Sequence, residues 1–116
     1  MPHLRIQTTA NLSENARMGE ILERMVRAFS GFETIQSASV KGYHLLHETW
    51  CLGAGAKPGF VHCELAILSG RPLELRRKLA DEMYSELKTC FAESWENGEA
   101  NLTLEVREMD RETYQK

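Results

Sequence analysis

The chain predicts a two-layer α+β fold, in which duplicated βαβ units form a four-stranded sheet with two helices on one face. Three observations carry that prediction. Residues 3–8, 60–67 and 102–107 alternate apolar with polar side chains, the period of half-buried strands. Two longer segments repeat apolar residues every three or four positions, the period of amphipathic helices. These patterns come in the order strand–helix–strand twice over, which reads as an internal duplication. Right-handed crossovers then put both helices on one side of the sheet.

In the first strand Leu4 and Ile6 are apolar, while Arg5 and Gln7 are polar. Asn11 with Glu14 three residues on resembles a capping box and marks a helix start. Met18, Ile21, Leu22, Met25, Val26 and Phe29 then line one helical face, and Gly31 stands where a C-terminal cap belongs. Residues 39–52 are rich in β-formers and aromatics, predicting a long strand bent at Gly42. Residues 53–59, Gly-Ala-Gly-Ala-Lys-Pro-Gly, form a loop.

Val61, Cys63, Leu65 and Ile67 share one face of the next strand, which Ser69-Gly70 breaks. Pro72 suits a first helical turn. Leu75, Leu79, Met83, Leu87, Phe91 and Trp95 then repeat every four residues, predicting one long helix ended by Asn97-Gly98. Leu102, Leu104 and Val106 alternate in a last strand. We therefore expect one domain over residues 1–116, with units at about 2–52 and 60–109, a loop at 53–59 and a short polar tail. Its helices cover one sheet face, and association with other copies is a natural way to cover the second.

Composition narrows the function. At 42% hydrophobic and 27% charged residues the chain is of ordinary globular type. A net charge of -3 argues against a nucleic-acid partner, and the basic cluster Arg76-Arg77-Lys78 sits among acids on a solvated helix face. Of three cysteines two occupy apolar-looking positions and none forms a CxxC pair, as expected for buried reduced thiols. No stretch approaches a membrane span, and the start lacks the apolar core of a signal peptide. These features predict a cytoplasmic protein with no nucleic-acid or membrane partner.

Pro2 opens directly onto the first strand. A small residue there permits removal of Met1 in any protein, which is the plain reading of a second-position proline. Once Met1 is gone, however, Pro2 carries a secondary amine with an ordinary pKa of about 8. Nearby cations and an apolar pocket both lower it toward the value a general base needs at neutral pH. Arg71 follows Ser69-Gly70 at a strand-to-helix corner, where a guanidinium can grip a carboxylate bidentately. A surface arginine at a helix start is the competing reading. His44 and His47 point to opposite strand faces, and with His3 and His62 they make no metal spacing. No metal and no cofactor are expected.

With these residues in view, the chain resembles the tautomerase superfamily, whose members use an amino-terminal proline, and within it the 5-carboxymethyl-2-hydroxymuconate isomerases. The likeness rests on Pro2-His3-Leu4, Glu48-Thr49-Trp50, Phe60-Val61-His62 and Ser69-Gly70-Arg71-Pro72-Leu73-Glu74 followed by Arg76. It runs from residue 2 to about residue 108. The resemblance implies a homotrimer of duplicated βαβ units with active sites near subunit boundaries. It implies keto–enol isomerisation of a 2-hydroxymuconate-like dicarboxylate or tricarboxylate, with Pro2 as general base and Arg71 on a substrate carboxylate or carbonyl. Lys41 stands where those isomerases carry an arginine, keeping the charge but losing the planar grip. Hydration or dehalogenation at the same proline, or a trimeric binding module without catalysis, are the alternatives. His3 and His62 match the pattern as structural hydrogen-bonding residues.

Overall fold

A computed structural model describes residues 1–116. The chain forms β1 (His3–Thr9), α1 (Met18–Ser30), β2 (Lys41–His47), β3 (Gly59–Leu68), α2 (Leu73–Cys90), α3 (Ala92–Glu96) and β4 (Ala100–Met109), with 3-10 turns at Ser13–Arg17 and Ser37–Ser39. The sheet order is β2-β1-β3-β4. β1 runs parallel to β2 and β3 parallel to β4, while β1 and β3 pair antiparallel at the centre. The two βαβ units predicted from periodicity therefore join through their first strands.

Both long helices lie over one face of this sheet. Ile21, Met25 and Phe29 of α1 and Leu79, Met83 and Leu87 of α2 pack with Leu4, Ile6, Val61, Cys63, Leu65 and Ile67 in a single core. Each such side chain, fully withdrawn from water, contributes about 1.5–3 kcal/mol. Gly42 is needed here because α1 crosses it: a Cβ at that position would overlap the Val26 Cγ2 methyl. It is a close-approach glycine, and the β1–β2 register runs through it without interruption.

Four local expectations are corrected. Asn11 and Glu14 form no capping box, since Asn11 donates to the Pro58 carbonyl. Glu14 is completely buried and accepts from the backbone N–H and hydroxyl of Ser94, eighty positions away. β2 ends at His47 although β-formers continue, because its one partner, β1, ends at Thr9 opposite it and leaves residues 48–52 nothing to pair with. Pro72 occupies the N-cap of α2 and accepts the Arg76 N–H.

Finally, the second helix is not continuous. It breaks at buried Phe91, which leaves the Ser94 N–H free to meet Glu14. Trp95, expected in the core stripe, stays at the surface beneath the ammonium groups of Lys57 and Lys88, 5.0 and 4.7 Å from its ring centre. Gly31 does cap α1: its N–H donates to the Ala28 carbonyl, and the following Phe32 N–H to that of Phe29. Cys63 and Cys90 are buried and Cys51 is exposed. Burial pushes the Cys63 thiol up to about 12, so it is chemically quiet.

The face away from the helices is polar. His3, Arg5, Lys41, Tyr43, His62 and Glu64 share it by register. His62 bonds Thr103 and Glu105 across the β3–β4 pair, a structural role. No helix is long and apolar enough to cross a membrane.

Candidate active site

Three chain segments converge beyond one end of β1 and β3. The first is the start of β1, where buried Pro2 accepts the Lys41 N–H through its carbonyl at 3.0 Å. That bond extends the β1–β2 ladder to the second residue and holds Pro2 in place. The second is the corner after β3. Ser69 N–H donates to the Met109 carbonyl, and Gly70 follows with φ +120°, a conformation favouring glycine. Arg71 is thereby turned back toward Pro2.

The Arg71 guanidinium is held by a loop that follows α1. Its Nε donates to Thr34 Oγ1 at 2.9 Å, its Nη2 to the Thr34 carbonyl at 2.7 Å and its Nη1 to the Leu68 carbonyl at 3.0 Å. These contacts use three of five N–H donors and leave two for a ligand.

The third segment is the tail. Asp110 nucleates a turn, its carbonyl accepting from Thr113 and Tyr114 N–H and its carboxylate from Glu112 N–H. Arg111 Nε donates to the Ser69 carbonyl at 3.0 Å, and the Tyr114 hydroxyl meets His3 Nε2 at 3.0 Å. Parallel pairing of β4 with β3, with Met109 opposite Leu68, makes this meeting inevitable: β4 ends where the Arg71 corner begins.

Together they enclose a recess of about 210 Å³ whose walls include Pro2, Thr34, Leu68, Arg71, Arg111 and Lys116. No acidic side chain lines it. None of Arg71, Arg111, Lys116 or Lys41 has an ion-pair partner in the chain. Larger hollows, such as the one of about 340 Å³ between α1 and α2, lack converging cations. No cluster of three His, Cys, Asp or Glu side chains could hold a metal ion.

The electrostatics follow from that wall. The terminal amine is held below its ordinary value, first by burial and then by Lys116, Lys41, Arg71 and Arg111. In this chain that amine belongs to Met1, and the Pro2 nitrogen is an amide. Arg71 is lowered by burial and by Arg111. His3 is lowered by burial, then by Lys41, the terminal amine and Arg5.

Of the residues singled out from sequence, Pro2 and Arg71 therefore line one recess. Lys41 stands beside it: its backbone bonds Pro2, its side chain is exposed on the polar sheet face, and its charge reaches the terminal amine. The sequence marks Arg111, Tyr114 and Lys116 only as part of a short polar tail, and Thr34 not at all. Only the parallel β3–β4 pairing could have pointed to the tail residues, and nothing local marks Thr34.

The comparisons agree with this architecture. The family model for 5-carboxymethyl-2-hydroxymuconate isomerase matches residues 2–116. No curated protein matches the chain. The structure is similar to a 5-carboxymethyl-2-hydroxymuconate isomerase from Deinococcus radiodurans R1, with TM-score 0.89 and 24% identity over 99% of this chain and 87% of that one. It is also similar to a 5-carboxymethyl-2-hydroxymuconate delta-isomerase, with TM-score 0.87 and 17% identity over 100% and 87%. A fused 4-OT symmetric trimer shares the fold at TM-score 0.62 and 17% identity over 94% and 86%.

Proposed function

The chain belongs to the 5-carboxymethyl-2-hydroxymuconate isomerase family and is an isomerase; on that premise we propose that the amine of Pro2, freed by loss of Met1, is its general base. The substrate is a 2-hydroxymuconate-like unsaturated polycarboxylate in its dienol form, such as 5-carboxymethyl-2-hydroxymuconate. Neutral Pro2 takes the enol hydroxyl proton and returns it to a carbon of the conjugated chain, leaving the carbonyl. Proton and electron pair are conserved, so no cofactor enters the balance.

Arg71 supplies its two remaining N–H donors to a substrate carboxylate, and Lys41 adds positive charge from the other side of Pro2. Both stabilise the negative charge that develops on oxygen as the proton leaves. One observation carries this reading: a small recess holds the second residue of the chain against unpaired cations that depress an amine there. General-base catalysis accounts for roughly a hundredfold to ten-thousandfold, and the cations and positioning supply the remainder.

The reading includes a homotrimer. Helices cover one sheet face only, the other is polar, and the fused 4-OT neighbour is a trimer of the same fold. Other copies would cover that face and bring subunit boundaries near Pro2.

The test begins with an intact mass that establishes Met1 removal. Ketonisation of a 2-hydroxymuconate-type dienol is then followed by ultraviolet absorbance for the processed protein and its Pro2→Ala variant. We expect turnover that falls by about a hundredfold or more in the variant. Equal rates for the two proteins would remove Pro2 from the chemistry.

A further inference from the structure

We propose that Arg111, delivered by the C-terminal tail, is a further carboxylate anchor of the recess and sets its preference for substrates with more than one carboxylate. The proposal rests on the reading of that recess as the isomerase site.

The chain holds 17 Asp and Glu against 14 Lys and Arg, so acids are in excess. Three arginines away from the recess meet acids, Arg24 with Glu86, Arg76 with Glu108, and Arg107 with Glu64 and Glu105, while the other cations stand singly on the surface. At the recess three cations are gathered instead: Arg71, Arg111 and Lys116 face one volume with no acidic side chain on its walls. Like charges gathered without a counter-ion oppose folding, and an anionic ligand relieves that cost.

Arg111 is not a loose tail residue. Its backbone N–H donates to Ser69 Oγ at 3.3 Å and its Nε to the Ser69 carbonyl at 3.0 Å. On either side the tail is pinned, by the β3–β4 ladder before it and by Tyr114 on His3 after it. The side chain lies over Gly70, where even a Cβ would come within 3.6 Å of Nη2. Only one of its five side-chain N–H donors is used, so a bidentate edge remains for a carboxylate. Its proximity to Arg71 is felt electrostatically, since Arg111 lowers that guanidinium. Two guanidiniums on one small recess fit two carboxylates of one ligand better than a single carboxylate.

A merely structural Arg111 would dock the tail and affect all ligands alike. The experiment separates these roles with ligands that cannot react. Met1-processed protein is titrated with propane-1,2,3-tricarboxylate and with butyrate, followed by NMR chemical shifts, for the wild type, Arg111→Gln and Arg111→Lys. We expect the tricarboxylate to bind about tenfold or more weakly to Arg111→Gln, with part of the loss restored by lysine. Butyrate, which needs Arg71 alone, keeps its affinity. Equal weakening of both ligands, no weakening of the tricarboxylate, or no tricarboxylate binding to the wild type would each overturn the proposal. Arg111-dependent binding without Pro2-dependent turnover would instead sink the isomerisation chemistry and leave the anchor standing.

Discussion

Replacing Arg71 by alanine is the sharpest perturbation of the recess. The guanidinium spends three N–H donors on Thr34 and Leu68 and has two left for the substrate. A hydrogen bond to a charged group is worth about 1.5–3 kcal/mol, and partial exposure keeps the pair near the low end. Loss of about 1.5–3 kcal/mol of transition-state stabilisation lowers kcat/KM by about tenfold to a hundredfold. KM should rise because a carboxylate loses its partner. Turnover should fall as well, because the same charge steadies the oxygen while its proton is in transit.

The assay is dienol ketonisation by Met1-processed protein, with melting curves to show that each variant folds. Arg71→Lys keeps the charge but can satisfy only part of the fork, so it should fall between wild type and alanine. An unchanged kcat/KM in folded Arg71→Ala would refute the reasoning, since it would mean that the fork touches only Thr34 and Leu68.

Two further outcomes follow from the electrostatics and the buried contacts. The catalytic amine must be neutral, and burial with four nearby cations lowers the terminal amine. The rising limb of kcat/KM against pH should therefore lie below the ordinary α-amino value of about 8, and added salt should move it upward by screening the cations. A limb at or above 8 would show that those cations do not act on Pro2.

Glu14→Gln should lower stability by about 1–2 kcal/mol, read as a melting midpoint lower by roughly 4–8 °C, because charge-assisted bonds to Ser94 become neutral ones. Burial raises this carboxyl, but the Ser94 hydrogen bonds outweigh it and hold it below the ordinary glutamate value. A depressed carboxylate stabilises above its unfolded pKa and loses that contribution as pH falls through its folded one. The gap between wild type and Glu14→Gln should accordingly close in acid, and a gap independent of pH would refute the assignment.

Periodicity alone determined the order of strands and helices, the duplicated units and the faces that Leu4, Ile6, Met25, Phe29, Cys63, Leu65 and Met83 present to the core. It could do so because burial against one neighbour imposes a repeat of two or of 3.6 on nearby residues, and that repeat is local. Pro2 and Arg71 were legible for a related reason: one is the second residue, the other follows Ser69-Gly70, and both places are marked in the chain itself. Tertiary structure decided everything that depends on distant partners. Glu14 looks like a cap until Ser94 arrives to take its carboxylate. Trp95 continues a stripe until the chain turns at Phe91, and β2 stops early because its partner β1 ends opposite His47. The recess itself belongs to this second class. Thr34, Arg71 and Arg111 come from three segments that meet because β1 pairs with both β2 and β3 and because β3 and β4 run parallel and end together, and strand pairing across dozens of residues leaves no repeat in the sequence to announce it.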